Sequence, residues 1–197
     1  MIKLYNFPVS GNAYKIRLLL AFLKLNYEFI PVDLFAGEHK TKAFLKLNPR
    51  GQVPVLIDDN VTIWDSQAIL VYLARKYGDQ IWLPVGSEAM AEVMQWMAVS
   101  ENEMLFGLAR ARAVKTFKRP WNLEQCQEYG RSGLAVMELQ IQDHDWLAAD
   151  HPTIADIACY PYVVLAPDGG VELEEFPSVQ KWLKRFEGLQ GYMTIDE

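Results

Sequence analysis

An α/β domain with a mixed sheet, followed by an all-α domain, is the fold class this sequence predicts, and three observations predict it. Strand-like "IKLYNF" (2–7), helical "GNAYKIRLLLAFLKL" (11–25) and strand-like "YEFIPVDL" (27–34) follow one another closely. That order is a βαβ unit, whose two strands lie parallel with a right-handed crossover. Two further apolar runs, "VPVLID" and "VTIW", are separated only by "DN", as in an antiparallel hairpin. From Glu88 onward strand-like runs disappear and helical periodicity takes over.

In the first helix Ile16, Leu19, Leu20 and Leu23 recur at helical spacing, which predicts an amphipathic helix. A polar loop, "FAGEHK", leads to a short helix over "TKAFLKLN" and then to the hairpin. "DSQAILVYLARKYG" (65–78) reads as a helix with Asp65 or Ser66 as its N-cap and Gly78 as its stop. Residues 1–78 therefore spell β-α-β-α-β-β-α. Residues 79–87, containing Pro84 and Gly86, have linker composition, although Ile81, Trp82 and Leu83 predict that the segment packs down. Residues 88–197 form the helical domain, in which Thr153 stands three residues before Asp156, the pattern of a capping box with a structural role.

The composition excludes several classes of function. A net charge of −6 without blocks of like charge argues against a nucleic-acid partner. No stretch approaches the roughly 18 apolar residues of a membrane span, and the N-terminus lacks a basic segment followed by an apolar run. Cys126 and Cys159 are the only cysteines and show no metal-ligand or redox spacing, so they read as buried hydrophobes in a reducing cytoplasm. The three histidines are scattered, and no metal is expected.

Pro54 is out of character in "GQVPVL". Proline cannot donate to a ladder, so it marks an edge strand, a first residue, or a cis peptide bond that turns the backbone of Val53 toward a guest peptide.

With "YNFPVSGNAYKIR" (5–17), "VDLFAGEHKTKAFLKLNPRGQVPVLID" (32–58), "WDSQAILVYLARKYG" (64–78) and "TIADIACYPY" (153–162) in this order, the chain resembles the cytosolic-type glutathione S-transferases. Its serine-type N-terminal motif is similar to those of bacterial, phi-like and theta-like members. The resemblance implies a thioredoxin-like N-terminal domain, an all-helical C-terminal domain, and a cytoplasmic homodimer using glutathione as co-substrate. It implies a cis-proline at Pro54, with Val53 pairing with the cysteinyl part of glutathione. Gln52 lies beside them, Asp65 and Ser66 receive the γ-glutamyl end, and Lys40 or His39 receives the glycyl carboxylate. Asp65 is one methylene shorter than the residue usual in the family.

For the group that activates the thiol, the resemblance offers Ser10, then Asn12, then Tyr5. Ser10 stands where another class has cysteine, which argues against disulfide exchange through a protein thiol. The implied activity is conjugation of glutathione to small hydrophobic electrophiles, in a pocket formed by the first loop and the helix after Glu88. Glutathione-dependent peroxidase or disulfide-reductase activity, or a non-catalytic binding module on the same fold, remain as alternatives.

Overall fold

The computed structural model describes residues 1–197, and contacts divide it into two units, Met1–Asp79 with Gln190–Glu197, and Gln80–Leu189. Residues 190–197, which the sequence places in the helical domain, fold onto the first unit. Residues 80–87, read as linker, go with the second, where Leu83 is buried and the Trp82 carbonyl accepts a hydrogen bond from Ile154 N at 2.9 Å.

The first unit runs β1 (Ile2–Asn6), α1 (Gly11–Phe22), β2 (Tyr27–Pro31), a single 3-10 turn (Glu38–Lys40), α2 (Lys42–Leu47), β3 (Val55–Asp58), β4 (Val61–Trp64) and α3 (Ser66–Tyr77). The sheet order is β2-β1-β3-β4. β1 and β2 pair parallel from Ile2↔Tyr27 to Asn6↔Pro31, and β3 pairs antiparallel with both β1 and β4. The hairpin turns at Asp59, whose φ of 51° is one that aspartate tolerates in turns.

One expectation needs correcting. Ile16, Leu19 and Leu20 are buried as predicted, but so is every residue from Ala13 to Leu20, including Lys15 and Arg17. α1 is therefore not a surface helix with one apolar stripe. Part of the reason is the returning chain, since Tyr14 and Arg17 bond to the Met193 and Ile195 carbonyls.

Asp58, only 2% exposed, ends β3 in a cluster that the sequence did not suggest. Its Oδ2 accepts from Lys76 Nζ at 2.7 Å, Tyr77 Oη at 2.6 Å and Tyr72 Oη at 2.9 Å. Burial pushes its carboxyl up, but the bonds from Lys76, Tyr77 and Tyr72 outweigh that and hold it below the ordinary range. The folded state thus binds fewer protons here than the unfolded chain. The stabilisation is complete above the ordinary carboxylate value of about 4 and is lost as pH falls through the lower folded value. Asp58→Asn is expected to cost about 2 kcal/mol near neutrality, with a smaller penalty near pH 3. Denaturant midpoints for both chains at several pH values check this; a penalty independent of pH would contradict it.

The second unit is helical: α4 (Ser87–Val99), α5 (Arg110–Phe117), α6 (Leu123–Ile141), α7 (Ile154–Val164) and α8 (Pro177–Glu187). Between α4 and α5 the chain stays helical but widens to π winding over Ser100–Ala109. Gly107 crosses α6 here at a distance no side chain tolerates, since a Cβ would stand 2.3 Å from Gly130 N. Trp96, Met97 and Met104 are buried. Both cysteines are free and buried, and burial pushes the Cys126 thiol up.

The predicted capping box is present at α7. Thr153 Oγ1 accepts from Ala155 N, and Asp156 Oδ2 accepts from Thr153 N at 2.9 Å and from Thr153 Oγ1 at 3.3 Å. Asp156 Oδ1 reaches further, accepting from Leu147 N at 3.1 Å and from Trp182 Nε1 at 3.0 Å. Complete burial pushes its carboxyl above the ordinary range, against the pull of those donors. Trp182 and Phe186 pack with Tyr160, whose ring stacks on Phe186 at 4.0 Å. Glu138 of α6 caps the N-terminus of α8, accepting from Ser178 N and Val179 N. No helix is long and apolar enough to cross a membrane.

Candidate functional site

Helix N-termini and loops that carry the site residues meet in the first unit. Ser10 is the N-cap of α1: its Oγ accepts from Ala13 N at 3.3 Å and its own N–H closes a turn onto the Phe7 carbonyl at 2.9 Å. Accepting that bond does not use the hydroxyl proton, which stays available to an acceptor in front of the helix. Asn12, in the first turn, accepts on Oδ1 from Ser66 Oγ at 2.9 Å. Two candidates from separate parts of the sequence are thus bonded, and the N-termini of α1 and α3 are linked. Tyr5 sets its ring edge-on to Phe44 at 6.2 Å, against a cluster of Val32, Phe44, Val53 and Val55.

The Val53–Pro54 peptide bond is cis. Val53 is buried but precedes β3, whose register with β1 ends at Tyr5↔Val55, and its amide and carbonyl make no intrachain hydrogen bond. The loop before it is held by Asn48, which donates from Nδ2 to the Gln52 carbonyl at 2.7 Å and accepts on Oδ1 from Arg50 N at 2.9 Å. Lys40 Nζ donates to the Gly51 carbonyl at 3.0 Å, joining the 3-10 turn to the same loop. Gly51 has φ +59°, and a Cβ there would stand 2.8 Å from the His39 carbonyl oxygen. Only glycine allows this approach of residues 39–40 to the loop.

Asp65 caps α3 in an unusual backbone conformation, φ 80° and ψ 126°, accepting on Oδ1 from Gln67 N at 3.0 Å. Such an outlier in a non-glycine residue is a marker of functional sites. Its other oxygen is occupied by a residue the sequence analysis missed: Arg50 Nη1 donates to Oδ2 at 2.9 Å. The pairing spans fifteen positions and has no periodic signature; the "NPRG" stretch around Arg50 was its only cue. Ser66 is buried beneath, with its hydroxyl proton committed to Asn12.

The arrangement has an anion-attracting helix end at Ser10, an unpaired backbone edge at Val53, a charged pair at Arg50–Asp65 and a lysine at the far loop. It suits an extended peptide with a charge at each end. A thioredoxin-like α/β unit with a cis-proline loop, followed by an all-helical unit, defines a class of thiol-handling proteins, and the comparisons agree. Residues 1–75 match the family model "Glutathione S-transferase, N-terminal domain", and residues 107–190 match "Glutathione S-transferase, C-terminal domain". Glutathione S-transferase 1 of Dianthus caryophyllus is 31% identical over 182 residues, covering 89% of this chain and 82% of its own. Disulfide-bond oxidoreductase YfcG of Escherichia coli is 28% identical over 201 residues, covering 94% of this chain and 89% of its own. Among solved structures, a glutathione S-transferase from Pseudomonas fluorescens has a TM-score of 0.94 at 33% identity, covering 100% of this chain and 99% of that one. The chain belongs to the glutathione S-transferase family of enzymes.

Proposed function

We propose that this chain binds reduced glutathione, stabilises its thiolate and adds it to small hydrophobic electrophiles. The observation that carries the reading is the Val53 backbone, whose amide and carbonyl are unpaired beside Pro54 at the edge of β3. An extended tripeptide satisfies both groups by adding as a strand. In this reading Asp65 takes the γ-glutamyl ammonium. Arg50 and the N-terminus of α3 with Ser66 take the adjoining carboxylate. Gln52 borders the peptide, and Lys40, with His39 behind it, faces the glycyl carboxylate. The sulfur then lies before α1, where Ser10 donates to it. A free thiol of this kind has a pKa of about 8.5, so lowering it by one unit multiplies the thiolate near neutral pH roughly tenfold.

The relationship to a protein named as a disulfide-bond oxidoreductase supports a second reading, in which bound glutathione reduces a disulfide or a hydroperoxide. Cys126 and Cys159 are buried in the helical unit, so the reacting thiol would be that of glutathione. The working form we propose is a homodimer in the reducing cytoplasm, to be checked by sedimentation.

The test is the ultraviolet thiolate absorbance of glutathione bound to the native chain as a function of pH, followed by turnover with a chromogenic electrophile. A bound thiol titrating at least one unit below free glutathione, together with conjugation, is the expected result. Thiolate without conjugation, but with disulfide or hydroperoxide turnover, selects the second reading. No bound thiolate removes both and leaves a binding module.

A further inference from the structure

We propose that Arg17 is a positioning residue for the Ser10 turn, acting through the C-terminal segment 190–197 as a brace. This rests on the glutathione reading above and deepens it.

Arg17 is 2% exposed, and a single nitrogen, Nη2, donates both to the Pro8 carbonyl at 3.0 Å and to the Ile195 carbonyl at 2.7 Å. Pro8 lies inside the turn that the Ser10 N–H closes onto Phe7. One guanidinium therefore fastens the turn that aims the Ser10 hydroxyl to a strand of chain from the far end of the sequence. The brace has a second anchor on the same helix, Tyr14 Oη donating to the Met193 carbonyl at 2.6 Å. It passes α1 at Gly191, whose φ is +96°, against Ala21 and Phe22. It is also tied internally, with Glu197 Oε2 accepting from Thr194 N at 2.6 Å and Thr194 Oγ1 at 2.9 Å.

Tyr27, Tyr14 and Asp196 are the titratable groups that face the guanidinium; burial works against its charge and they favour it. Its ring partner is Tyr14, 5.3 Å from the guanidinium carbon. The two carbonyl acceptors on Nη2 offset part of the cost of burying this cation, whose Nε is buried without a hydrogen-bond partner. If the brace leaves, Arg17 loses one acceptor and its hold on Pro8 is no longer fixed in direction. Ser10 then keeps its cap but not its aim, and a displacement near 1 Å at a reacting group costs catalysis far more than binding.

Three variants of the full chain test this: deletion of residues 192–197, Arg17→Lys and Tyr14→Phe. For each, the pH midpoint of the bound thiolate, the turnover number and the glutathione Kd are compared with the native chain. The deletion is expected to raise the midpoint by about half a unit to one unit and to lower kcat roughly five- to tenfold, with Kd within about twofold. Arg17→Lys keeps the charge, but its side chain is one bond shorter and lacks the planar fork that fixes the direction of the two bonds, so it should act in the same direction, while Tyr14→Phe gives a smaller shift. A folded deletion variant with native midpoint and kcat overturns the proposal. So does a loss of thermal stability or affinity with the midpoint unmoved, the signature of a purely structural arginine. If the deletion variant does not fold, Arg17→Lys and Tyr14→Phe decide, with hydrogen exchange at the Ser10 amide as second readout; native exchange and midpoint in both overturn it. A native chain that binds no thiolate defeats the glutathione reading itself, whereas a native thiolate indifferent to all three variants defeats the brace alone.

Discussion

Asp156→Ala is expected to destabilise the helical unit by about 4 kcal/mol, enough to bring a marginally stable domain close to unfolding. The carboxylate is fully buried and receives Thr153 N, Thr153 Oγ1, Leu147 N and Trp182 Nε1. Alanine removes the acceptor and leaves those donors inside the protein, each unsatisfied group costing about 1 to 3 kcal/mol. The sum is not additive, because the loop before Thr153 can relax toward water, hence a value below the arithmetic total. Thr153→Ala removes the hydroxyl that caps Ala155 N and donates weakly to Asp156, and should cost about 1 kcal/mol. Chemical unfolding followed by tryptophan fluorescence, to which Trp182 contributes, measures both. A loss under about 1.5 kcal/mol for Asp156→Ala would show that the carboxylate is not the hub joining α7, α8 and the loop at Leu147.

The contrast between those two residues shows what the sequence could convey. Thr153 and Asp156 are three positions apart, and a helix start has a local grammar, so the capping box was legible. The same holds for Asp65 before α3 and the Asp59–Asn60 hairpin turn, and the order of runs was enough for the fold class. Trp182 on Asp156, Arg50 on Asp65, Ser66 on Asn12 and the tyrosine pair on Asp58 were not legible. Each joins residues more than a helical turn apart, and periodicity carries no trace of them. The misjudged face of α1 has the same origin. Its stripe of leucines was real, but Tyr14 and Arg17 are buried partly by residues 193–195, nearly the whole chain away. The π winding after α4 is a further case, since it coincides with Gly107 meeting Gly130 across a helix crossing.

Ser10→Ala carries the largest expected effect on activity: kcat lowered on the order of 100-fold, with the glutathione Kd within a few-fold of native. The hydroxyl makes one weak capping bond to Ala13 N at 3.3 Å, so its loss should cost about 1 kcal/mol of stability and leave α1 in place. The helix end still attracts an anion, so some depression of the thiol pKa survives. What disappears, in the proposed reading, is the one directed donor at the sulfur, and a group that acts mainly on the thiolate and transition state moves kcat rather than affinity. Asn12→Ala discriminates between the candidates. Asn12 Oδ1 holds the Ser66 hydroxyl, so its replacement frees Ser66, proposed above to meet the γ-glutamyl end, and should weaken glutathione binding more than it slows turnover. Opposite patterns in the two variants, kcat for Ser10 and Kd for Asn12, would place thiol activation at Ser10 and the linking of the two helix ends at Asn12. If Ser10→Ala retains native turnover while Asn12→Ala collapses it, activation belongs to Asn12, and the hydroxyl of Ser10 is a helix cap and nothing more.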